Sequence, residues 1–196
     1  MKIFFAFTIF TLLSVGLIAQ DLDDVFDDGG LSNINNGIGI SISKLVEGAI
    51  CIHYERYLKP DMSLVLNVGP ILYDGFPLNL AIVAYNKTHY YQPANTLNYG
   101  FIFDLQYRGY VAESEGWLAA YEIGYRFQDR TDETNSRYHL TYIFGYKYRI
   151  QHFAITSSLG LGFMVYGYKD KKEVFPSTDY SGGLYLPLNI DITYEF

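Results

Sequence analysis

The sequence contains few of the residues that several common classes of protein depend on. Of its 196 residues, one is cysteine and one is tryptophan. The single cysteine, Cys51, cannot form an internal disulfide. Basic residues are also scarce, since 14 Lys and Arg face 21 Asp and Glu, for a formal net charge of −7. This balance argues against nucleic acid as a partner, because nucleic-acid binding needs a basic face.

Long apolar runs are scarce too, and the one clear run extends from Ile3 to Ile18. It follows the basic residue Lys2, ends beside Ala19, and is short for a transmembrane helix of about 20 residues. These features predict a secretory signal peptide over residues 1–19, with a single membrane anchor as the alternative. The mean hydropathy is near zero, which excludes a bundle of membrane helices but not a β-barrel, whose strands alternate apolar and polar residues.

Motifs that would indicate an enzyme or a cofactor site are missing from the sequence. It has no phosphate-binding glycine motif, no metalloprotease motif and no nucleophile elbow. Residues 20–36 are acidic but lack the spacing of an EF-hand calcium loop, so we expect a flexible acidic leader there. The sequence therefore predicts no cofactor.

What the sequence does have is alternation. In residues 184–196, apolar and aromatic residues alternate with mostly polar ones, which predicts a β-strand with one apolar and one polar face. The strand ends on Tyr194 and Phe196, and we expect these aromatic residues to be the assembly signal of an outer-membrane β-barrel. The same alternation recurs in residues 37–43, 49–58, 62–72, 97–108, 117–127, 138–149 and 153–165.

These eight segments predict an all-β fold, namely a closed, antiparallel, up-and-down transmembrane β-barrel over residues 37–196. Residues 77–85 also alternate, and they form either a further strand or part of one external loop. Single-chain bacterial barrels have an even number of strands. We therefore expect eight strands, with ten as the alternative.

The polar faces of the predicted strands carry ionisable residues at mid-strand, whereas the apolar faces are rich in aromatic residues. A calycin-like barrel in water would have the opposite arrangement, with its apolar face inside. An eight-stranded barrel has room only for its own side chains, so the inward charges should pair and plug it. A narrow pore is the alternative. The predicted interior network consists of Glu55, Asp104, Arg108, Glu122, Arg126, Lys147 and Asp191, with Arg108 diagonal to Glu122 across the turn near Ser114.

Two further groups of residues have a possible chemical role. His139 and Thr141 share one face, as the base and nucleophile of a lipid A or phospholipid hydrolase would, but no acid is obvious beside them. Cys51, His53 and Glu55 share one face of one strand without a second set of metal donors. Core packing is the favoured interpretation of that second group, so no catalytic or metal-binding residue is predicted.

Short motifs in the predicted strands resemble a known family. Tyr54-Glu55-Arg56-Tyr57, Gly124-Tyr125-Arg126-Phe127 and the final Tyr194-Glu195-Phe196 are similar to strands of small outer-membrane β-barrel proteins of the Bacteroidetes type. The resemblance covers most of the chain that would remain after removal of the predicted signal peptide. It implies an eight-stranded barrel, mostly without assigned function, and carries no site residues with it.

The combined expectation is an integral protein of the outer membrane of a Gram-negative bacterium, reached after secretion to the periplasm. Its C-terminus would face the periplasm, and residues 128–136 and 169–181 would form external loops. The protein would have a structural or surface-interaction role, with these loops as its working surface. The expected partners are outer-membrane lipid, the barrel-assembly machinery and periplasmic chaperones, with an unidentified surface ligand.

Overall fold

The computed structural model describes residues 36–73, 80–82, 97–112, 115–171 and 178–196. These residues form a closed, eight-stranded antiparallel β-barrel with one extra short strand, which confirms the predicted fold class. The first strand begins at Asn36, one residue before the predicted start of the barrel. The predicted signal peptide, and the acidic leader up to residue 35, lie outside the described residues.

The barrel is built from long strands and one short helix. Within the described residues there is one helix, α1, which has five residues and follows the first strand. The elements are β1 (Asn36–Ser41), α1 (Ile42–Val46), β2 (Ile52–Lys59), β3 (Met62–Ile71), β4 (Leu80–Ile82), β5 (Leu97–Ala112), β6 (Glu115–Arg130), β7 (Glu133–Ile150), β8 (Phe153–Asp170), β9 (Asp179–Leu186) and β10 (Leu188–Glu195).

Two of these elements, β9 and β10, act as one barrel strand. Both pair with β8, and the register passes from Gly162↔Tyr185 to Leu159↔Leu188 without a shift. Pro187 lies at the break and has no N–H to donate, but its carbonyl accepts a hydrogen bond from Gly160 N at 2.8 Å. The barrel closes where β1 pairs with β10, which makes eight wall strands in total.

The uncertain segment at residues 77–85 contributes the extra strand. Its residues 80–82 form β4, which pairs with β9 from Leu80↔Leu186 to Ile82↔Leu184. The six-residue β1 pairs with β10 only as far as Asp191, so it does not cover the same edge of β9. Strand β4 therefore occupies an edge that the first strand is too short to cover. The rest of residues 77–85 lies outside the described residues.

The start of the barrel differs from the prediction. Alternation predicts a strand through residue 43, but β1 ends at Ser41 and the chain turns inward to form α1, where Ser43 and Lys44 are buried. The turn ends at Gly48, whose φ of 92° favours glycine. Had the strand continued, Lys44 would have faced outward with Ile38 and Ile40, where no charge is expected.

The two faces of the wall have opposite character. Side chains that point inward are mostly polar and buried, whereas those that point outward are apolar or aromatic and exposed. On β7 the outward apolar run from Tyr138 to Ile150 corresponds to a band about 30 Å tall at a tilt of about 40°. Examples on neighbouring strands are Phe103, Tyr107, Tyr121, Ile123, Ile155, Leu159, Leu161 and Phe163.

Among the described residues, no helix is long and apolar enough to cross a membrane.

The ends of the barrel also differ from each other. One end of the barrel, here called the terminal end, contains Asn36, Phe196, the turns near residues 60 and 151, and the paired strand ends Ala112 and Glu115. At the opposite end, here called the loop end, β3 and β8 end at Ile71 and Asp170, and β5 and β9 begin at Leu97 and Asp179. The prediction that residues 128–136 form a loop is wrong, because most of them are paired strand and the turn itself is only residues 131–132. Alternation fails to detect this part because both of its faces are polar.

Candidate functional site: the polar interior

All seven predicted network residues lie on inward faces of the wall. The side chains of six of them are at most 1% exposed, and Arg126, near the loop end, is 14% exposed. The structure distributes them over three levels between the terminal end and the loop end. The levels are linked, because Arg108 Nη1 lies 3.8 Å from Glu55 Oε2 and Gln106 connects Arg108 to Glu122.

The level nearest the terminal end centres on Lys147 of β7. Its Nζ lies 2.8 Å from Glu55 Oε2 and 2.5 Å from Glu195 Oε1. Tyr57 donates its hydroxyl to Glu195, and Tyr110 donates its hydroxyl to Glu55. Ser63 and Arg149 provide further donors to these carboxylates. Both buried acids are therefore neutralised by basic groups and hydrogen-bonded at the same time.

The middle level centres on Arg108 of β5. Its Nη2 lies 3.1 Å from Asp191 Oδ2, and its Nε donates to Gln106 Oε1 at 2.8 Å. Gln106 in turn donates from Nε2 to Glu122 Oε2 at 2.6 Å. The expected direct pairing of Arg108 with Glu122 is therefore wrong. Arg108 is directed across the barrel to Asp191, and Gln106, directly opposite Glu122 in the register, connects the two.

The level toward the loop end brings together Asp104, Glu122 and His139 from three adjacent strands. His139 Nε2 lies 3.0 Å from Glu122 Oε1 and 3.6 Å from Asp104 Oδ1. Lys44, carried inward by α1, places its Nζ 2.9 Å from Asp104 Oδ2. The His139 ring packs against Tyr185, at 4.9 Å between ring centroids.

The segment that follows β1 closes this level from the loop end. Arg126 pairs with Glu47, at 3.2 Å between Nη1 and Oε2, and also donates to the Glu47 carbonyl at 3.3 Å. Arg137 lies over the Tyr185 ring at 5.0 Å. Lys44 and Glu47 thus attach residues 42–48 to the inner wall through two ion pairs. We call this segment the plug.

The fold does not bring together the members of either of the two other candidate groups, His139 with Thr141 and Cys51 with His53 and Glu55. His139 is directed toward Glu122 and Asp104 inside the barrel, and Thr141 Oγ1 is buried without a hydrogen-bond partner among the described residues. Cys51 packs in an apolar cluster with Ala49, Ile71 and Ile102, as predicted for a small interior filler. His53 bonds to Asn67 at 2.8 Å, and Glu55 belongs to the Lys147 level.

The predicted assembly residues lie on the outward face. Tyr194 and Phe196 stack with 6.3 Å between ring centroids, and both are about half exposed. The backbone N–H of Phe196 donates to Asn36 O at 2.8 Å, and Asn36 N donates back to Phe196 O at 2.9 Å. The last residue of the sequence is thereby joined to the first described strand.

Several interior residues are missing from the predicted network. Lys44 and Glu47 follow the predicted strand of residues 37–43, outside every segment that alternates, so the pattern does not predict that they point inward. One signal was available, because continuing the strand would have placed Lys44 on the apolar face. Gln106, Tyr57 and Tyr110 are neutral, and a search for charge alone passes over them.

No protein-family model matches the sequence, and no curated protein matches it closely enough to indicate a common family. Membership of the Bacteroidetes-type family therefore stays a prediction.

Proposed function

We propose that this barrel is an integral outer-membrane protein of a Gram-negative bacterium, closed to ions, with a non-catalytic structural or surface-interaction role at its loop end. The observation that carries the proposal is the inverted distribution of side chains. Charged residues are buried inside the barrel, while large apolar and aromatic side chains cover the outside. A continuous exposed apolar surface of this size indicates contact with lipid or another apolar partner.

The composition of the outer face supports lipid as that partner. Tyrosines are frequent in the band, with Tyr138 near one edge and Tyr148 near the other on β7. Tyrosine favours membrane–water interfaces, where its ring is buried and its hydroxyl stays hydrated. The band of about 30 Å also matches the thickness of a bilayer's hydrocarbon core.

The packing of the interior supports a closed barrel. Side chains from opposite walls meet at each level, as Arg108 does with Asp191, and the plug adds Lys44 and Glu47 toward the loop end. Ion conduction would require these paired charges to separate inside a low-dielectric interior, at considerable cost. The loop end, with its longer connections, is then the surface available to a partner.

Membrane location is tested by fractionation and by gel migration. We expect the chain in the outer-membrane fraction, with a mobility that changes when the sample is heated, because a folded barrel resists detergent until heated. Recovery of the folded chain in the soluble periplasmic fraction would contradict the proposal.

Closure is tested by planar-bilayer recording. We expect no steady conductance from the wild-type protein. The double variant Lys44→Ala/Glu47→Ala, which removes both ion pairs of the plug, should show intermittent openings, whereas the rim variant Lys171→Ala should not. Stable wild-type channels of uniform size would instead favour a narrow pore lined by the same interior residues.

A further inference from the structure

We propose that Asp104, Glu122 and His139 form a binding site for a divalent transition-metal ion such as Zn²⁺ inside the barrel. The three side chains come from β5, β6 and β7, and one donor atom of each lies within 4.8 Å of the others. A histidine nitrogen with two carboxylate oxygens is a donor set suited to such ions. The inference does not depend on the proposed membrane function.

The backbone register explains how these residues meet. Asp104 lies opposite Gly124, and Gly124 lies opposite His139, so the glycine separates the two on the middle strand. A Cβ at Gly124 would lie 2.3 Å from Asp104 Oδ1 and 2.4 Å from His139 Nε2. The missing side chain therefore provides the space in which the flanking residues converge. Glu122 is the next inward residue on the same middle strand.

The distances fit a metal ion as well as they fit a hydrogen bond. Metal–ligand bonds of about 2.1 Å at tetrahedral angles separate neighbouring ligand atoms by about 3.4 Å. His139 Nε2 lies 3.0 Å from Glu122 Oε1 and 3.6 Å from Asp104 Oδ1, on either side of that value. Neither oxygen of Asp104 accepts a hydrogen bond from the described residues, and Oδ1, unlike Oδ2, has no ion pair with Lys44. A cation bound between the three groups would satisfy this oxygen.

The other oxygen of each carboxylate, Glu122 Oε2 and Asp104 Oδ2, already has a partner on the side away from His139. Gln106 Nε2 donates to Glu122 Oε2 at 2.6 Å, and Arg108 fixes Gln106 in turn. Lys44 Nζ lies 2.9 Å from Asp104 Oδ2. Outer partners of this kind orient metal-binding carboxylates. They leave Asp104 Oδ1 and Glu122 Oε1 directed toward His139.

The test measures metal binding by the full chain, refolded in detergent with and without Zn²⁺ because the site is buried. We expect one equivalent of Zn²⁺ to be retained after dialysis. Co²⁺ substitution should give the visible absorption of an ion with nitrogen and oxygen ligands. Because His139→Gln removes a ligand, it should weaken Zn²⁺ binding by more than the roughly 10–100-fold that loss of an outer partner costs, and Glu122→Gln should weaken it similarly.

His53→Gln is the matched control, because among the described residues His53 is the other histidine buried in the interior, and it bonds to Asn67 and not to this cluster. It should bind Zn²⁺ as the wild type does. Heat-modifiable migration shows which variants have folded. If His139→Gln does not fold, Gly124→Ala and the wild-type Co²⁺ spectrum provide the test, since the added Cβ should displace the ligands and reduce binding.

Failure of the wild type to retain Zn²⁺ would overturn the proposal, and His139 would then be a purely structural ion-pair partner. Equal binding by wild type, His139→Gln and Glu122→Gln would also overturn it. That result would place the ion elsewhere, for example on the acidic residues Asp21 to Asp28. Neither outcome bears on membrane location, so the two proposals can fail separately.

Discussion

At the scale of single residues, the interior depends on matched charges. Glu55 and Glu195 are 0% exposed, and Lys147 contacts both. A buried charge is tolerated when it is paired and hydrogen-bonded, and it is costly when its partner is removed. Each interior acid or base therefore contributes mainly through the cost of leaving its partners unpaired.

We predict that Lys147→Met destabilises the barrel by about 3–5 kcal/mol, because two buried carboxylates lose their shared cation. The same substitution at Lys171 should cost about 0–1 kcal/mol, since its bridge to Asp129 is at the rim and Lys171 is 35% exposed. Urea unfolding of both variants in lipid vesicles gives the two free energies. Equal losses would show that the interior pairs do not determine stability.

At the scale of elements, alternation was sufficient to predict most of the wall. In strand β8, apolar residues alternate with small or polar ones, and the apolar residues are exposed on the outer face while the others point into the polar interior. Pattern analysis therefore located eight strands and the inward direction of seven charged residues.

Alternation could not predict two kinds of feature. The first is strand whose two faces are both polar, and the second is contact between residues that lie far apart in sequence. Residues 128–136 form paired strand ends with two polar faces, so they resemble a loop. The inward turn at α1 depends on Lys44 reaching Asp104 and Glu47 reaching Arg126. The pairing of Arg108 with Asp191 spans the barrel, and no local pattern contains it.

The outward face of β8 gives a prediction about its surroundings. Leu161 lies near mid-height and is 55% exposed, and Phe153 lies at the terminal end and is 58% exposed. We predict that Leu161→Arg costs about 2–4 kcal/mol in a bilayer and Phe153→Arg about 0–1 kcal/mol, because the penalty for arginine falls toward the interfaces.

Reversible folding of both arginine variants into lipid vesicles measures this difference. Their similar exposure makes them a matched pair that differs in depth. If Leu161→Arg costs no more than Phe153→Arg, the outer face does not lie in lipid.

At the scale of the whole molecule, the barrel is closed by contacts between its first and last strands. Strands β1 and β10 pair from Gly37↔Glu195 to Ser41↔Asp191. The outer side of this seam carries Tyr194 and Phe196, and the inner side carries Glu195 and Asp191. The last strand therefore contributes to both the outer face and the interior network.

We predict that Phe196→Asp reduces the amount of assembled barrel several-fold in cells, because it places a charge at the outward end of the closing strand. Phe153→Asp, the same change on neighbouring β8, should have a smaller effect. The proportion of heat-modifiable protein in outer-membrane fractions measures both. Normal assembly of Phe196→Asp would show that this aromatic residue is not an assembly signal.

The seam between β1 and β10 also has a consequence for the timing of folding. It joins Asn36 to Phe196, the most distant described positions in the chain, and contacts of such long range form slowly. Until these contacts form, the wall has two open edges, and the acids and bases on its inward face lack some of their partners. In the membrane location proposed above, lipid could not hydrate those groups or the open edges. We therefore expect that individual hairpins do not cross a bilayer one after another, and that closure accompanies insertion as a single late event, after the last strand has been synthesised.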